Sequence, residues 1–367
     1  MSEVQLVDLI EGARNCVVNV AMVQPGDKVL VLTDTSIPHV ISELLATVCK
    51  EQGAVPIVLT IPAEIAYSAE LGGEIPGHVV SAVSGADVVL APTSFPLQHT
   101  PALRGFAAGV GDDPTTTTWI NIPPPHALSF TSVGARKVTV ELGSLITETL
   151  IARMQKGKRY HLTTSTGSDL VTEIPSECLG GTVSSRFSVR AANGVRGKFC
   201  VFPYGVMNPT GYRHEKAHGT LVVDAIDHFQ GLLSKPVAYT IRDGWVEEIS
   251  GGFEAEWIQT EMNKHKKELS KGLEELSVGT NPGIPLYKNN FAAVNVYWHA
   301  FAHRCAGAVH IAIGEDPYFH LHGLIMRPTL TCLDTGDVIV QDGYLTIFDD
   351  PKVSSAIEEA GVVPSRW

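Results

Sequence analysis

Two histidines stand one residue apart near the end of the chain, in the sequence YFHLHG that contains His320 and His322. In a β-strand, residues i and i+2 project from the same face. If this stretch is a strand, both imidazoles can reach one metal ion while Leu321 faces the other side. The alternative is that two half-buried histidines merely alternate along a strand, and the spacing alone leaves both interpretations open.

Two further potential ligands accompany these histidines. His310 lies in the apolar, strand-like stretch GAVHIAIGED, and only a short loop separates it from His320, so a hairpin would bring the two stretches together. Glu275 lies upstream in EELSVGTNPG, where we expect the end of a long helix that begins in EAEWIQTEMNKHKKEL. Imidazole and carboxylate ligands together suit Fe, Mn, Co or Zn. These residues therefore predict a metal site of that class.

Other histidine motifs favour less specific roles. His299 and His303 in WHAFAHR would share one face of a helix, but Ala300 stands where the HExxH motif of zinc proteases has its glutamate. A packed or solvated histidine pair is therefore favoured there. The stretch PYGVMNPTGYRHEKAHG offers Tyr204 and His214 as candidate substrate-binding residues, with a polar loop between hairpins as the alternative.

Composition and charge exclude several classes of partner. The chain has 367 residues, and its 39 acidic and 27 basic side chains give a net charge of −12 without any basic block. Nucleic acids and anionic membranes are therefore disfavoured. The longest apolar runs have the length of strands, no signal peptide is recognisable, and the six cysteines form no CxxC pair. This pattern predicts a cytoplasmic protein with reduced thiols.

The pattern of predicted secondary structure changes near residue 155. Before that point, short apolar strands alternate with helical stretches, which predicts an N-terminal α/β domain with a parallel sheet over residues 1–155. No GxGxxG follows the first predicted strand, so the pattern does not indicate a dinucleotide site. Residues 156–367 are rich in β-type runs with Asp-Gly and Gly-Gly turns. They predict a C-terminal α+β, metal-binding domain with antiparallel strands.

Several motifs, in chain order, resemble the thermophilic metallo-aminopeptidase family of the aminopeptidase S/T type. They are ISGGFEAE, EELSVGTNPG, GAVHIAIGEDP, HLHGLIMRPT and IVQDG, with GDKVLVLTD and GTLVVD fitting the same family. The resemblance spans nearly the whole chain. Relatives of this family include 2,5-dihydroxypyridine dioxygenase, an Fe(II) ring-cleaving enzyme. The resemblance implies an N-terminal α/β domain, a C-terminal metal-binding domain, and assembly as a homo-oligomer of two or more subunits.

The resemblance also implies a set of metal ligands. In the peptidase branch they fall on a tyrosine close to Tyr318 and on Glu254, Glu275, His310 and His320. The last ligand of that branch is the aspartate of an H-x-D motif, where this chain has His322. Carboxylates bridge pairs of divalent ions and neutralise their charge, so an imidazole here disfavours a two-metal site. The dioxygenase relative implies histidine at position 275 and aspartate at position 322, so this chain departs from it at both. Glu275, His320 and His322 nevertheless give the same inventory in permuted order, the two histidines and one carboxylate of the non-haem Fe(II) triad.

The dioxygenase relative further places a functional histidine at His99, in the loop FPLQHTPALR that follows an N-domain strand. The pKa of a histidine lies near neutrality, which suits a group that orients or deprotonates a substrate. We therefore expect an Fe(II)-dependent ring-cleaving dioxygenase of aromatic compound catabolism, with O2 and a small hydroxylated aromatic or N-heteroaromatic compound as substrates. His99 and Glu254 would be catalytic, and Tyr318 would contact the substrate.

Two other functions stay open. The first is a metal-dependent aminopeptidase or small-amide hydrolase that uses Zn, Co or Mn. The role of His310 distinguishes this alternative from the dioxygenase. If His310 binds the metal directly, the hydrolase is favoured; if it only contacts the metal ligands, the three-residue iron site is favoured. The second is a non-enzymatic metal-binding or assembly protein. It is disfavoured because four potential metal ligands are all present in the sequence.

Overall fold

The structure is a computed structural model that describes residues 6–70, 73–108, 117–124, 126–180, 199–209, 214–226, 229, 232–285, 302–315 and 319–364. The chain packs as two compact units. The first unit comprises residues 1–141 with 189–204, and the second comprises residues 142–188 with 205–367. This division differs from the single boundary expected at residue 155, because the first unit also takes a later segment of the chain.

The helices of the described residues are mostly short. In chain order they are α1 Leu6–Arg14, α2 His39–Glu51, α3 Ala63–Glu70, α4 Gly77–Ser84, α5 Pro101–Ala108, α6 His126–Thr131, α7 Val133–Arg136, α8 Val140–Met154, α9 Ser176–Gly180, α10 Phe253–Met262, α11 Lys267–Ser270 and α12 Pro351–Glu359. A π-helix at Asn15–Val20 continues α1, and 3-10 helices occupy Leu97–His99 and Thr346–Asp349.

The strands divide among three sheets. In chain order they are β1 Lys28–Asp34, β2 Val55–Ile61, β3 Val88–Ala91, β4 Thr118–Asn121, β5 Arg159–Thr163, β6 Asp169–Glu173, β7 Phe199–Val201, β8 Val206–Met207, β9 His218–Val223, β10 Ala225–Ile226, β11 Val237–Arg242, β12 Trp245–Ser250, β13 Leu273–Gly279, β14 Val309–Ile313, β15 Leu321–Ile325, β16 Thr329–Cys332, β17 Val338–Gln341 and β18 Tyr344–Leu345.

The first unit is built on a parallel sheet. Its described strands have the order β2-β1-β3-β4-β7, and each neighbouring pair is parallel. The apolar run KVLVLTD forms β1, in which every residue after Lys28 is buried. Central strands of a parallel sheet are covered on both faces, which explains why this run is almost continuously apolar. The predicted α/β class of the N-terminal region is confirmed.

The second unit contains two antiparallel sheets. The larger has the strand order β12-β11-β9-β6-β5-β16-β17-β18, and the smaller has the order β10-β15-β14-β13-β8. In the smaller sheet, β13, β14 and β15 are neighbours and all of β14 and β15 is buried. The predicted α+β class with antiparallel strands is confirmed. The hairpin expected between the His310 and His320 stretches is the β14–β15 pair.

The prediction of a long helix that ends at Glu275 is wrong. The chain forms α10 and the short α11 and then enters β13, so Glu275 is a strand residue. Glutamate and leucine favour helices locally, but propensity is a weak determinant when tertiary pairing competes. Pairing with β14 and β8 and the burial of Leu273 and Leu276 stabilise the strand instead.

Two predictions from the sequence concern membrane-spanning helices and the state of the cysteines. Among the described residues, no helix combines the length and the apolar character that crossing a membrane requires. All six cysteines are free thiols. Burial raises the pKa of the Cys305 thiol to about 12, so this sulfur is not a reactive thiolate near neutral pH.

Candidate metal centre

The register of three strands brings the candidate ligands to one face of the smaller antiparallel sheet. Glu275 on β13 pairs with Ala312 on β14, and Ala312 pairs with His322 on β15. Residues directly opposite each other in an antiparallel pair project from the same face. Glu275 and His322 therefore flank Ala312, whose methyl group leaves space between the two longer side chains.

A β-bulge lies next to Glu275 in the pairing of β13 with β14. Leu273 pairs with Ile313 and Glu275 pairs with Ala312, so Glu274 is an extra residue in the ladder. In a regular ladder Glu275 would oppose Ile311 and face the opposite side of the sheet, because a shift of one residue reverses every side chain. Bulges commonly redirect a side chain next to a functional site. From Glu275 onward, the continuous register of residues 275–278 with residues 309–312 keeps the carboxylate on the face of the histidines.

The turn between β14 and β15 orients His320. Gly314 ends β14 with φ +85°, and a Cβ atom there would lie 2.2 Å from the Phe319 carbonyl oxygen. The Gly314 carbonyl accepts a hydrogen bond from His320 Nδ1 at 2.9 Å. A neutral imidazole that donates through Nδ1 keeps its lone pair on Nε2. The turn therefore presents Nε2 of His320 as the ligand atom, as outer hydrogen bonds do in metal sites.

Glu275, His320 and His322 form a group that fits one metal ion. Each offers a ligand atom, and these atoms all lie within 4.8 Å of one another. Two ligands bound at about 2.1 Å can be at most about 4 Å apart, so small side-chain movements suffice for coordination. Oε2 of Glu275 is buried and makes no hydrogen bond to a described residue, although His310 Nε2 faces it at 3.3 Å. A buried carboxylate oxygen of this kind suits a cation.

His310 lies beside this group, on the same face of the sheet, two residues before Ala312 on β14. Its Nε2 atom is 3.3 Å from Glu275 Oε2, and its ring centroid is 5.0 Å from that of His322. It is nevertheless not part of the set whose ligand atoms lie within 4.8 Å of one another. Its side chain is 4% exposed. The geometry is that of a residue that supports Glu275.

His303 is a further neighbour of this group, although its sequence context favoured a packed or solvated histidine. Its ring centroid lies 4.3 Å from that of His310 and 6.4 Å from that of His322. It lies in a turn, while its expected helical partner His299 lies outside the described residues. The contact is between segments that the chain brings together only on folding. Spacing along the chain could not reveal it.

Of three other predicted site residues, only Glu254 has a described side chain, and it is not part of this group. Glu254 lies in the first turn of α10, where its Oε1 accepts a hydrogen bond from Ser234 at 3.4 Å. His99 ends the 3-10 helix Leu97–His99, but its side chain lies outside what the structure describes. Tyr318 lies outside the described residues altogether. The catalytic and substrate-binding roles of all three stay predictions.

Tyr204 and His214 have internal partners. Tyr204 is 1% exposed, and its hydroxyl donates to the Val138 carbonyl at 2.6 Å. His214 is fully buried, and its Nδ1 lies 2.9 Å from the Thr172 hydroxyl oxygen. Burial lowers the pKa of His214 to about 4. These contacts describe structural roles, and substrate binding by either residue stays a prediction.

Burial of His214 predicts a pH-dependent stability. The unfolded chain binds a proton at this imidazole below about pH 6.5, whereas the folded chain does so only near pH 4. The free energy of unfolding should therefore fall as pH falls through this window, by up to about 3 kcal/mol. Urea unfolding of the wild type and of His214→Asn should show a stability difference that shrinks with falling pH. A difference that is independent of pH would contradict this account.

The Gly314 turn predicts a substitution that affects both fold and metal binding. Gly314→Ala should lower the unfolding temperature and weaken metal retention, because the new Cβ would meet the Phe319 carbonyl and displace the acceptor of His320. Gly336→Ala is the matched control, since Gly336 has φ +76° and nothing within 4 Å of a Cβ. It should cost about 1 kcal/mol of backbone strain and leave metal binding intact. Equal effects of the two substitutions on metal retention would refute the role of the turn.

Known proteins of the same fold are distant in sequence. A structure of 2,5-dihydroxypyridine dioxygenase from Pseudomonas putida KT2440 is 18% identical, covers 94% of this chain and 98% of that chain, and has a TM-score of 0.63. Wild-type AmpT from Thermus thermophilus is 14% identical, with 92% and 99% covered and a TM-score of 0.62. No curated protein sequence matches the chain.

The family model of 2,5-dihydroxypyridine 5,6-dioxygenase (NicX) matches residues 10–345. This match covers most of the 367 residues. It confirms the resemblance to the dihydroxypyridine dioxygenase branch, and the fold is shared with the aminopeptidase-type protein AmpT. The chain belongs to the 2,5-dihydroxypyridine 5,6-dioxygenase (NicX) family.

Proposed function

We propose that this chain is a non-haem Fe(II)-dependent dioxygenase that cleaves the ring of a small hydroxylated aromatic or N-heteroaromatic compound, similar to a dihydroxypyridine. The observation that carries the proposal is the grouping of Glu275, His320 and His322 within 4.8 Å. Two imidazoles and one carboxylate are the ligand set of non-haem Fe(II) oxygenases. Membership of the family supports the same reaction class.

The three ligands would set the charge of the centre. Fe(II) held by this triad would supply a redox-active ion with coordination positions open to a chelating substrate and to dioxygen. Glu275 contributes one negative charge, while His320 and His322 bind as neutral imidazoles. The site would then keep a net positive charge, which favours a substrate that binds through a deprotonated hydroxyl group. The Gly314 carbonyl keeps His320 in the tautomer that binding requires.

Other residues enter the proposal through the family resemblance. His99 would orient the substrate or remove a proton from it, since an imidazole can exchange protons near neutral pH. Glu254 would assist catalysis, and Tyr318 would contact the substrate. The resemblance also supports a cytoplasmic homo-oligomer that uses O2 and a small molecule and does not bind nucleic acid.

A hydrolase is the second candidate function. The contact of 3.3 Å between His310 Nε2 and Glu275 Oε2 favours it, because a small rearrangement would let both bind a second divalent ion such as Zn, Co or Mn. Against it stands His322, which supplies no negative charge to bridge or neutralise two cations. The mononuclear site is therefore preferred.

Removal of a ligand should abolish metal retention. Glu275→Ala and His320→Ala should lose stoichiometric metal and activity but keep the unfolding temperature of the apoprotein, because neither side chain is fully buried. His322→Asp should still bind iron, since a carboxylate is also a competent ligand. Glu173→Ala removes another half-buried glutamate, paired with Lys216, and should leave metal content unchanged. Full metal content in Glu275→Ala or His320→Ala would rule out the proposed ligands.

Oxygen dependence should separate the two reaction classes. We expect dioxygen uptake in step with loss of a dihydroxypyridine, aminophenol or gentisate-like substrate, inactivation by chelation, and recovery with Fe(II) and a reductant. An oxygen electrode measures this directly, and leucine and arginine anilides provide the comparison substrates. Turnover of an anilide under strict anaerobiosis, without any oxygen-dependent substrate, would favour the hydrolase instead.

A further inference from the structure

His303 and Arg304 lie in a segment that is fixed to the strand carrying Glu275. The Arg304 carbonyl accepts from the Asn281 backbone N–H at 2.9 Å, and the Gly279 carbonyl accepts from the Gly307 N–H at 3.0 Å. A Cβ atom on Gly279 would lie 2.0 Å from the Cys305 carbonyl oxygen and 2.7 Å from that of His303. Only glycine permits this approach. The backbone at His303 is therefore held against the end of β13.

Arg304 determines which nitrogen of His303 carries the proton. Its guanidinium group donates a hydrogen bond to His303 Nε2, and the arginine is 1% exposed. Arginine can only donate, so Nε2 is the acceptor and a neutral His303 carries its hydrogen on Nδ1. The lone pair of Nε2 is thereby occupied. His303 is held in one orientation and is not available as a metal ligand through that atom.

A continuous line of contacts connects this pair to the metal centre. The His303 ring packs against His310, with centroids 4.3 Å apart and the planes inclined by 44°. On its other side, His310 Nε2 lies 3.3 Å from Glu275 Oε2. His303 and His310 are 7% and 3% exposed, so neither ring has space to rotate freely. Each ring therefore limits the position of the next group.

We propose that His303, held by Arg304, is a positioning residue of the metal centre: it packs on His310, and His310 in turn holds the Glu275 carboxylate toward the ion. The inference rests on the proposed metal site and adds two residues to it that bind no metal themselves. Loss of an outer partner of a metal ligand commonly weakens metal affinity about 10–100-fold. The same penalty is expected here, because Glu275 would have to be ordered on binding.

The experiment measures Co(II) affinity of the full chain by competition with a chromogenic chelator, together with the visible spectrum of the Co(II)-loaded protein. His303→Ala and Arg304→Met should each weaken affinity by about 10–100-fold without moving the Co(II) bands, because the three ligands remain. His303→Phe, which keeps a ring against His310, and Arg304→Lys, which keeps a donor, should each recover part of the affinity. These two milder variants also serve if the first two fail to fold.

His126→Ala is the matched control, because His126 is also 7% exposed but belongs to the first unit. It should leave Co(II) affinity unchanged. Wild-type affinity in both His303→Ala and Arg304→Met would overturn the inference. So would a shifted Co(II) spectrum in His303→Ala, since it would identify His303 as a direct ligand. A wild-type chain that binds no Co(II) would instead overturn the proposed metal site itself, before any role of His303 is considered.

Discussion

The register of β13, β14 and β15 is the constraint on which the site depends. It aligns Glu275, Ala312 and His322 in one row across the sheet, next to a β-bulge between Leu273 and Glu275. Antiparallel pairing fixes which side chains share a face, so the ligand set follows from backbone hydrogen bonds. The Gly314 turn then orients His320, the third proposed ligand.

The chemistry depends on a departure from the ligand pattern of the peptidase branch. Where the resemblance implies an aspartate after H-x, this chain has His322, which exchanges a negative ligand for a neutral one. A single carboxylate neutralises the positive charge of one divalent ion better than that of two. The same exchange leaves two imidazoles and a carboxylate, which is the arrangement that non-haem iron enzymes use. In the proposed site, His303 and His310 support the ligands and do not bind the metal themselves.

Sequence patterns predicted much of this arrangement. The apolar run of β1 and the β14–β15 hairpin follow from local periodicity, and the i, i+2 spacing placed His320 and His322 together. The strand at Glu275 could not be predicted from local sequence, because its residues favour a helix. Only pairing with β14 overrides that preference. The contact of His303 with His310 is equally tertiary. A bulge and a ring contact between distant segments leave no periodic trace in a single sequence.

The central claim is that one metal ion binds to two imidazoles and one carboxylate. X-ray absorption spectroscopy of the anaerobically Fe(II)-loaded chain tests it most directly, since it counts imidazole ligands and detects neighbouring metals. The account predicts one iron per chain, with scattering from two imidazoles and from light oxygen or nitrogen ligands, and without a second metal. A metal neighbour at about 3.5–4 Å, the spacing of two-metal sites, would contradict it.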